Sequence, residues 1–387
     1  MKKILLGTSA LVGVAAFAGA ASAQGADPIS LSVGGKFEGY VTFQDADNYG
    51  RAGTALDYGS TGITEDSELY FDGETTLDNG LTVGVAIDME VSGATTNQDE
   101  AYAYVSGGFG EVQAGTKDQV TAQFATAPGG YAAPFSEGFA TAAVPYRGAA
   151  NLGAAGGAAG VANSVALTGG TAFATSVAVT NGWGNHAASA LTFTNGSDDA
   201  TVTYISPNMA GFQIGASFTP NVTGAAGMAN TAGSWHNRMD VAAMYSGSMS
   251  GADISGDLGY TTRNNPGVGQ DDPTVLQGGL SVGMAGFTMG GRYVSRDLAS
   301  GADQDTWIMG LGYATGPYDV GLNYVDGSWE NTGVADDDAD AWELRGSYAM
   351  GPGVSLIASA FMVDYEDGSA NTDNDGTGVS TGLQLSF

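Results

Sequence analysis

The C-terminal segment of the chain, residues 379–387, constrains the fold more than any other feature. Its apolar side chains, Val379, Leu383, Leu385 and Phe387, fall on one face of an extended chain, with polar side chains between the last three. This period-two pattern predicts an amphipathic β-strand that runs to the final residue. Such a strand needs a partner strand for its backbone and an apolar solvent for its outer face, and a closed barrel in a bilayer supplies both.

The N-terminus has the pattern of a secretory signal peptide. Lys2 and Lys3 precede an apolar stretch over residues 4–20, and Ala-Ser-Ala at 21–23 is a small-residue cleavage site. The pattern predicts removal of residues 1–23 and a mature barrel chain of residues 24–387. No later window holds the roughly 18 consecutive apolar residues of a transmembrane helix. Together, the two ends predict export to the outer membrane of a Gram-negative bacterium.

Composition narrows the class of protein. The chain has 11 Lys+Arg and 41 Asp+Glu, and loss of Lys2 and Lys3 with the signal peptide leaves 9 against 41, a net charge of −32. This charge excludes nucleic acid as a partner, because binding to phosphates needs cationic side chains. The 63 glycines and 43% hydrophobic residues suit a barrel whose apolar face points outward. Since there is no cysteine, backbone ladders and closure must hold the fold.

Strand-like segments occur in pairs along the chain. Very short turns, such as Asp78-Asn79-Gly80, alternate with long polar loops, such as residues 48–65, and Asn-Gly is a strong hairpin signal. An even strand number with this alternation predicts an all-β fold: a 16-stranded antiparallel transmembrane β-barrel with both termini in the periplasm. The sixteen segments are 31–45, 67–78, 81–91, 100–107, 111–117, 200–206, 212–219, 238–248, 253–263, 274–284, 287–296, 305–314, 318–329, 339–349, 354–365 and 377–387.

The two faces of the strands differ in polarity. In the first segment, Val33, Phe37, Val41 and Phe43 share one face and Lys36 lies on the other. A soluble β-sandwich would also alternate, but sixteen strands and a terminal phenylalanine favour the barrel. Charged residues are therefore expected to line the lumen. The acids expected there are Glu68, Asp72, Glu74, Asp88 and Glu90.

Aromatic residues recur six positions apart near strand ends, as in Trp307 with Tyr313 and Trp342 with Tyr348. Six residues span roughly 20 Å of strand. The spacing predicts aromatic belts at the two membrane interfaces, with ordinary strand aromatics as the alternative interpretation.

Several segments resemble the general diffusion porins of Gram-negative outer membranes. Residues 201–218 read strand, Ser-Pro turn, Gly-Phe strand, and residues 100–115 resemble the hairpin before the constriction loop. Gly-Pro-Gly-Val at 351–354 and the Gly-rich approach to Phe387 are similar to the alphaproteobacterial branch of that family. The resemblance spans the mature chain. It implies a homotrimer of sixteen-stranded barrels, each with a long third external loop folded inward to narrow the pore.

Residues 118–199 occupy the position of that third loop. The segment is rich in Ala and Gly, and two pieces, residues 164–167 and 173–179, have strand-like patterning, so an additional hairpin is an alternative. In the family, acids on this loop face basic residues of the barrel wall. The resemblance makes Asp118 and Glu137 the matching loop acids here.

Basic residues are scarce and fall on the polar faces of their strands. A cation facing lipid at the bilayer midplane costs about 2 to 4 kcal/mol, so an inward orientation is expected. One interpretation is a basic wall opposite the acidic loop, which creates a transverse field across the pore; the other is simple pairing with lumen acids. The residues are Lys36, Lys117, Arg238, Arg292 and Arg345.

No catalytic or metal motif was found in the sequence. His186 and His236 are far apart and there is no cysteine, so a zinc site is not expected. Residues 371–376 resemble the start of a calcium loop, but Gly382 stands where a bidentate glutamate is needed. No cofactor is expected, apart from weak calcium binding at acidic external loops such as residues 336–340, which would bridge to lipopolysaccharide.

These features predict a passive porin that conducts ions and small hydrophilic solutes with weak cation selectivity, and not an enzyme. Two alternatives stay open: a substrate-selective outer-membrane channel for a sugar or dicarboxylate, and a calcium-binding β-rich surface or adhesin protein. Phe387 is expected to serve as the assembly signal, which engages the barrel-assembly machinery before the strand closes on the first strand.

Overall fold

A computed structural model describes residues 28–46, 61–91, 97–127, 199–221, 236–264, 271–297, 303–330, 336–366 and 374–387. The predicted signal peptide, Glu137 and the strand-like pieces at 164–167 and 173–179 lie outside these residues. Within the described part of the chain, no helix is both long enough and apolar enough to cross a membrane.

The described residues form sixteen strands and one short helix. The helix, α1, covers Val120–Gln123 between the fifth and sixth strands. The strands are β1 Ser30–Ala46, β2 Thr61–Thr76, β3 Thr82–Glu90, β4 Asn97–Gly107, β5 Gly110–Thr116, β6 Ala200–Ile205, β7 Phe212–Asn221, β8 His236–Met249, β9 Ala252–Asn264, β10 Thr274–Met284, β11 Phe287–Asp297, β12 Asp303–Thr315, β13 Tyr318–Trp329, β14 Asp337–Gly351, β15 Val354–Glu366 and β16 Asn374–Ser386.

The sixteen strands make one closed antiparallel barrel. Each strand pairs with its neighbours in sequence, and β1 pairs with β16 from Lys36 opposite Ser386 to Ala46 opposite Gly376. Closure gives the backbone groups of both edge strands a partner, which a sheet in a bilayer requires. The predicted sixteen-stranded antiparallel barrel is confirmed.

The C-terminal residue continues this closure beyond the end of β16. The Gly35 N–H donates to the Phe387 carbonyl at 2.9 Å, and the Phe387 N–H donates to the Gly35 carbonyl at 3.1 Å. The ring of Phe387 lies against Gly35, where a Cβ would come within 2.7 Å of it. The aromatic end of the chain is therefore seated on the first strand.

The outer face of the barrel is apolar and carries two rows of aromatic side chains. Rings on neighbouring strands meet in pairs: Tyr318 with Tyr348 at 5.1 Å and Tyr324 with Trp342 at 4.5 Å between centroids. Two further pairs, Phe287–Tyr313 at 4.4 Å and Tyr293–Trp307 at 4.3 Å, extend the rows. One row lies by the short turns and the other towards the long loops, as expected for belts at two interfaces.

Several strands extend further than the apolar pattern indicated. Residues 336–340 were expected to form a loop, but β14 begins at Asp337 and pairs it with Trp329; likewise β2 begins at Thr61, inside the expected loop 48–65, and β8 at His236. The physical reason is that backbone ladder bonds continue in water, where side chains need not be apolar. Alternating hydrophobicity marks only the part of a strand that crosses the bilayer.

Candidate functional site

The chain turns into the barrel directly after β5. This inward segment, residues 117–127, contains α1 and opens the loop expected to narrow the pore. Val120 and Phe124 are buried against Ala242, with Ile205 and Met244 packed beside them on the inner wall. The segment is thus held partly by a small apolar cluster inside an otherwise polar lumen.

Buried polar contacts fix the inward segment to one side of the wall. The Val120 N–H donates to Ser217 Oγ at 2.8 Å, and Thr121 Oγ1 donates to Asp240 Oδ1 at 2.9 Å. Gln277 Nε2 donates to the Thr121 carbonyl at 2.6 Å. These partners lie on β7, β8 and β10, so the segment lies across that side of the barrel.

Asp257 on β9 joins the inward segment to Arg292. Its Oδ1 accepts the Thr126 N–H at 2.7 Å and Arg292 Nη1 at 2.8 Å. Both charged side chains are almost fully buried. Because a buried charge is tolerated only when it is paired and hydrogen bonded, this pair acts as an anchor for the loop.

Arg238 is paired in the same way. Its guanidinium contacts the Asp240 carboxylate at 2.9 Å, and both side chains are buried. Two interpretations of the basic residues were open, a basic wall opposite the acidic loop and pairing with lumen acids. The salt bridges of Arg238 and Arg292 join them to carboxylates of the wall itself, as the second interpretation expects. The signal for Arg238 was the spacing Arg-Met-Asp, which puts residues 238 and 240 on one strand face. Asp257 carried no such signal.

Lys36 lies among acids on the inner wall of β1 and β2. Its Nζ is 3.0 Å from Asp66 Oδ2 and 2.9 Å from Glu68 Oε1. Glu90 adds a third carboxylate, and oxygens of Asp66, Glu68 and Glu90 lie within 4.8 Å of one another. The ammonium of Lys36 therefore already supplies a counter-charge to two of these acids.

Lys117 and Asp118 meet Glu100 where the inward segment begins. Lys117 Nζ lies 2.5 Å from Glu100 Oε2 and 4.7 Å from the centroid of the Tyr102 ring. The Asp118 N–H donates to Glu100 Oε1 at 3.2 Å. Burial, and next the negative charge of Glu100, raise the pKa of Asp118 to about 6, against the opposing effect of Lys117 and Arg238.

Four further residues predicted from the sequence also lie on the inner face: Asp72, Glu74, Asp88 and Arg345. Asp72 and Glu74 pair in register with residues of β1 and β3, and Asp88 lies opposite Tyr70. Arg345 is buried on β14, two positions from Glu343. Glu137 lies outside the described residues.

Charge is unevenly distributed around the lumen. Carboxylates concentrate on β1–β4, whereas arginines concentrate on β8, β9, β11 and β14. The inner wall therefore has an acidic side and an arginine side, and the inward segment lies on β7–β10, at the arginine side. The acidic side comprises Glu38, Asp66, Glu68, Asp72, Glu74, Asp88, Glu90 and Glu100, and the arginine side Arg238, Arg263, Arg292, Arg296 and Arg345.

Solved structures with this fold include bacterial porins and an outer-membrane protein. The anion-selective porin from Comamonas acidovorans superposes with a TM-score of 0.60 at 17% identity, over 93% of this chain and 100% of that one. The trimer form of Vibrio cholerae OmpT gives 0.55 at 12% identity over 93% and 100%, and a mutant of the Rh. blastica porin gives 0.52 at 18% over 93% and 100%. At these identities the similarity shows the fold alone.

Sequence comparison adds the family. No curated protein sequence gives a significant match. The Gram-negative porin family model, however, matches residues 7–371 and so covers nearly the whole chain. The closed sixteen-stranded barrel, its polar inner face and its apolar outer face agree with that match. The chain therefore belongs to the Gram-negative porin family of outer-membrane channels.

Proposed function

We propose that this protein is a passive, weakly cation-selective porin, a water-filled channel through which ions and small hydrophilic solutes diffuse without catalysis. The observation that carries the proposal is a closed barrel whose inner wall is polar and charged while its outer wall is apolar. A polar lumen solvates ions, and pore width and wall charge then set selectivity.

The cation preference rests on the charges that remain available to solutes. Arg238 and Arg292 are buried and paired with wall carboxylates, so their field in the lumen is largely cancelled. Among the residues that the structure describes, Lys36 and Lys117 are the cations that offset the carboxylates of the acidic side. The Comamonas porin is named anion-selective, but at 17% identity its wall charges do not carry over to this chain.

We further propose a homotrimer as the working form. OmpT of Vibrio cholerae, which shares the fold, has a structure described as a trimer form. The outer face of β4 and β5 presents small side chains, Ala101, Ala103 and Ala114, whereas the paired aromatic rows lie on β11–β14. Small side chains suit close contact with another barrel, and aromatic rows suit lipid. Export through the signal peptide, contact with lipopolysaccharide and assembly by the barrel-assembly machinery belong to the same proposal.

Reconstitution in planar bilayers tests the channel. The detergent-extracted protein should give stepwise current increases, with a conductance that follows bulk salt conductivity. A substrate-selective channel would instead saturate with one preferred solute. Absence of steps, or release of the protein from membranes by a chelator without detergent, would contradict the proposal and favour a calcium-binding surface protein.

A further inference from the structure

A short sequence pattern recurs on the acidic side of the lumen. Glu-x-Tyr occurs at Glu38–Tyr40 in β1, at Glu68–Tyr70 in β2 and at Glu100–Tyr102 in β4. Residues two apart on a strand share a face, so each pattern places a carboxylate and a phenol ring side by side on the inner wall.

The phenols contact the acids directly. Tyr40 Oη donates to Glu38 Oε2 at 2.6 Å, and Tyr70 Oη donates to the Glu68 carboxylate. Tyr104, also on β4, donates to Glu74 Oε2 over the intervening strand β3 at 2.9 Å. The acidic side is therefore a surface of carboxylates with aromatic rings beside them.

One of these pairs already holds an ammonium group. The Lys117 ammonium is bonded to Glu100 and lies over the Tyr102 ring, 4.7 Å from its centroid. The carboxylate supplies the opposite charge and the ring supplies a cation–π contact. The protein's own alkylammonium thus shows which chemistry such a pair accepts.

The other carboxylate–tyrosine pairs differ in how exposed they are to solutes in the lumen. Glu38 and Tyr40 are buried, and Glu68 already contacts Lys36. Glu74 is exposed, and its partner Tyr104 lies across Gly84 on β3, where a Cβ would overlap the ring. One face of the Tyr104 ring therefore covers the wall and the other faces the lumen, next to an exposed carboxylate.

We propose that Glu74 and Tyr104 form a weak binding site in the lumen that favours passage of organic ammonium solutes over potassium. This inference rests on the proposed channel function and names a solute class for it. An alkylammonium gains both charge attraction and ring contact, whereas a potassium ion keeps its tightly held water shell and gains chiefly the charge attraction. Asp72 and Glu111 are the other acids whose charge acts on Tyr104, and they add to the local negative charge.

The test is the bi-ionic potential of the purified full-length channel, with butylammonium chloride on one side and potassium chloride on the other. Tyr104→Leu removes the ring, and the butylammonium-to-potassium permeability ratio should fall about two- to fivefold. Tyr104→Phe keeps the ring and should stay near the wild-type ratio. Tyr324→Leu, which removes an outward-facing ring, is the matched control and should not change the ratio.

Two further variants separate the contribution of the Tyr104 ring from that of the Glu74 charge. Gly84→Ala displaces the Tyr104 ring without deleting it and should lower the ratio in the same direction as Tyr104→Leu. Glu74→Gln should lower the ratio and also weaken cation preference over chloride. An unchanged ratio in Tyr104→Leu, or an equal loss in Tyr104→Phe, would overturn the inference while leaving the channel intact. Absence of any conductance in the wild-type protein would overturn the proposed function, and this inference with it.

Discussion

At the scale of single residues, the charge of Asp118 should depend on pH in the range in which the channel is studied. Asp118 is buried next to Glu100, and this raises its pKa from 3.8 to about 6. Glu100, Asp99, Lys117 and Arg238 are the charged groups that influence it. In the unfolded chain the group has its ordinary, lower pKa and ionises at lower pH than in the folded protein. The free energy of unfolding therefore decreases progressively as pH rises from about 4 to 6, and below about pH 4 this destabilisation is absent.

This pKa predicts a pH step in selectivity. As pH falls from 7 to 5, Asp118 gains a proton, the lumen loses one negative charge and cation preference should weaken. Asp118→Asn should start at the weaker preference and lack the step near pH 6. Zero-current potentials at several pH values measure this, with Asp78→Asn in an exposed turn as the control. A step of wild-type size in Asp118→Asn would contradict the assignment.

At the scale of elements, the inward segment depends on a few long-range contacts. Asp257 binds both the Thr126 N–H and Arg292. Asp257→Asn should therefore lower the free energy of unfolding by about 3 to 5 kcal/mol, because it removes the carboxylate that pairs with a buried guanidinium. The start of the loop should also loosen and make the open-channel current noisier.

Thermal unfolding of the purified barrel and single-channel recordings measure these two effects. Asp253→Asn is the matched control, since Asp253 is on the same strand but exposed, and it should leave both unchanged. A quiet channel of wild-type stability in Asp257→Asn would mean that the anchor lies elsewhere.

The terminal strand carries a second prediction at this scale. Phe387 pairs with Gly35 by two backbone bonds and rests its ring on that glycine. Phe387→Asp would place a charge on the lipid-facing side of the seam and should leave the protein unassembled in the periplasm. Phe387→Tyr keeps the ring and should assemble. Cell fractionation and heat-modifiable mobility on gels measure the outcome, and normal assembly of Phe387→Asp would refute the role of the aromatic end.

Some of these features can be predicted from the sequence and others cannot, for physical reasons. Alternation identified the strands and the inner face of Lys36, Arg292 and Arg345, because face is a local property. The pairing of Arg292 with Asp257 joins residues 35 positions apart, and the contact of Asp257 with Thr126 spans 131. Such contacts depend on barrel register, which local patterns do not encode.

At the scale of the whole molecule, ion selectivity depends more on where the charges lie than on the net charge. The net charge of −30 includes acids near the outer loops, which salt screens from the lumen beyond a Debye length of about 8 Å at about 0.15 M. The acidic side of β1–β4 lies within the lumen itself. Lowering the salt concentration to about 0.01 M increases the Debye length to about 30 Å, so that the field of the loop acids also reaches the lumen.

The zero-current potential across a potassium chloride gradient shows whether the acidic side governs permeation. The dilute side should become positive, because cations cross more readily, and the potential should grow as the overall salt concentration is lowered. Neutralising Arg345, which is not part of the loop anchor, should increase the potential further. A dilute side that becomes negative at low salt would show anion preference and contradict the assignment of the acidic side as the wall that governs permeation.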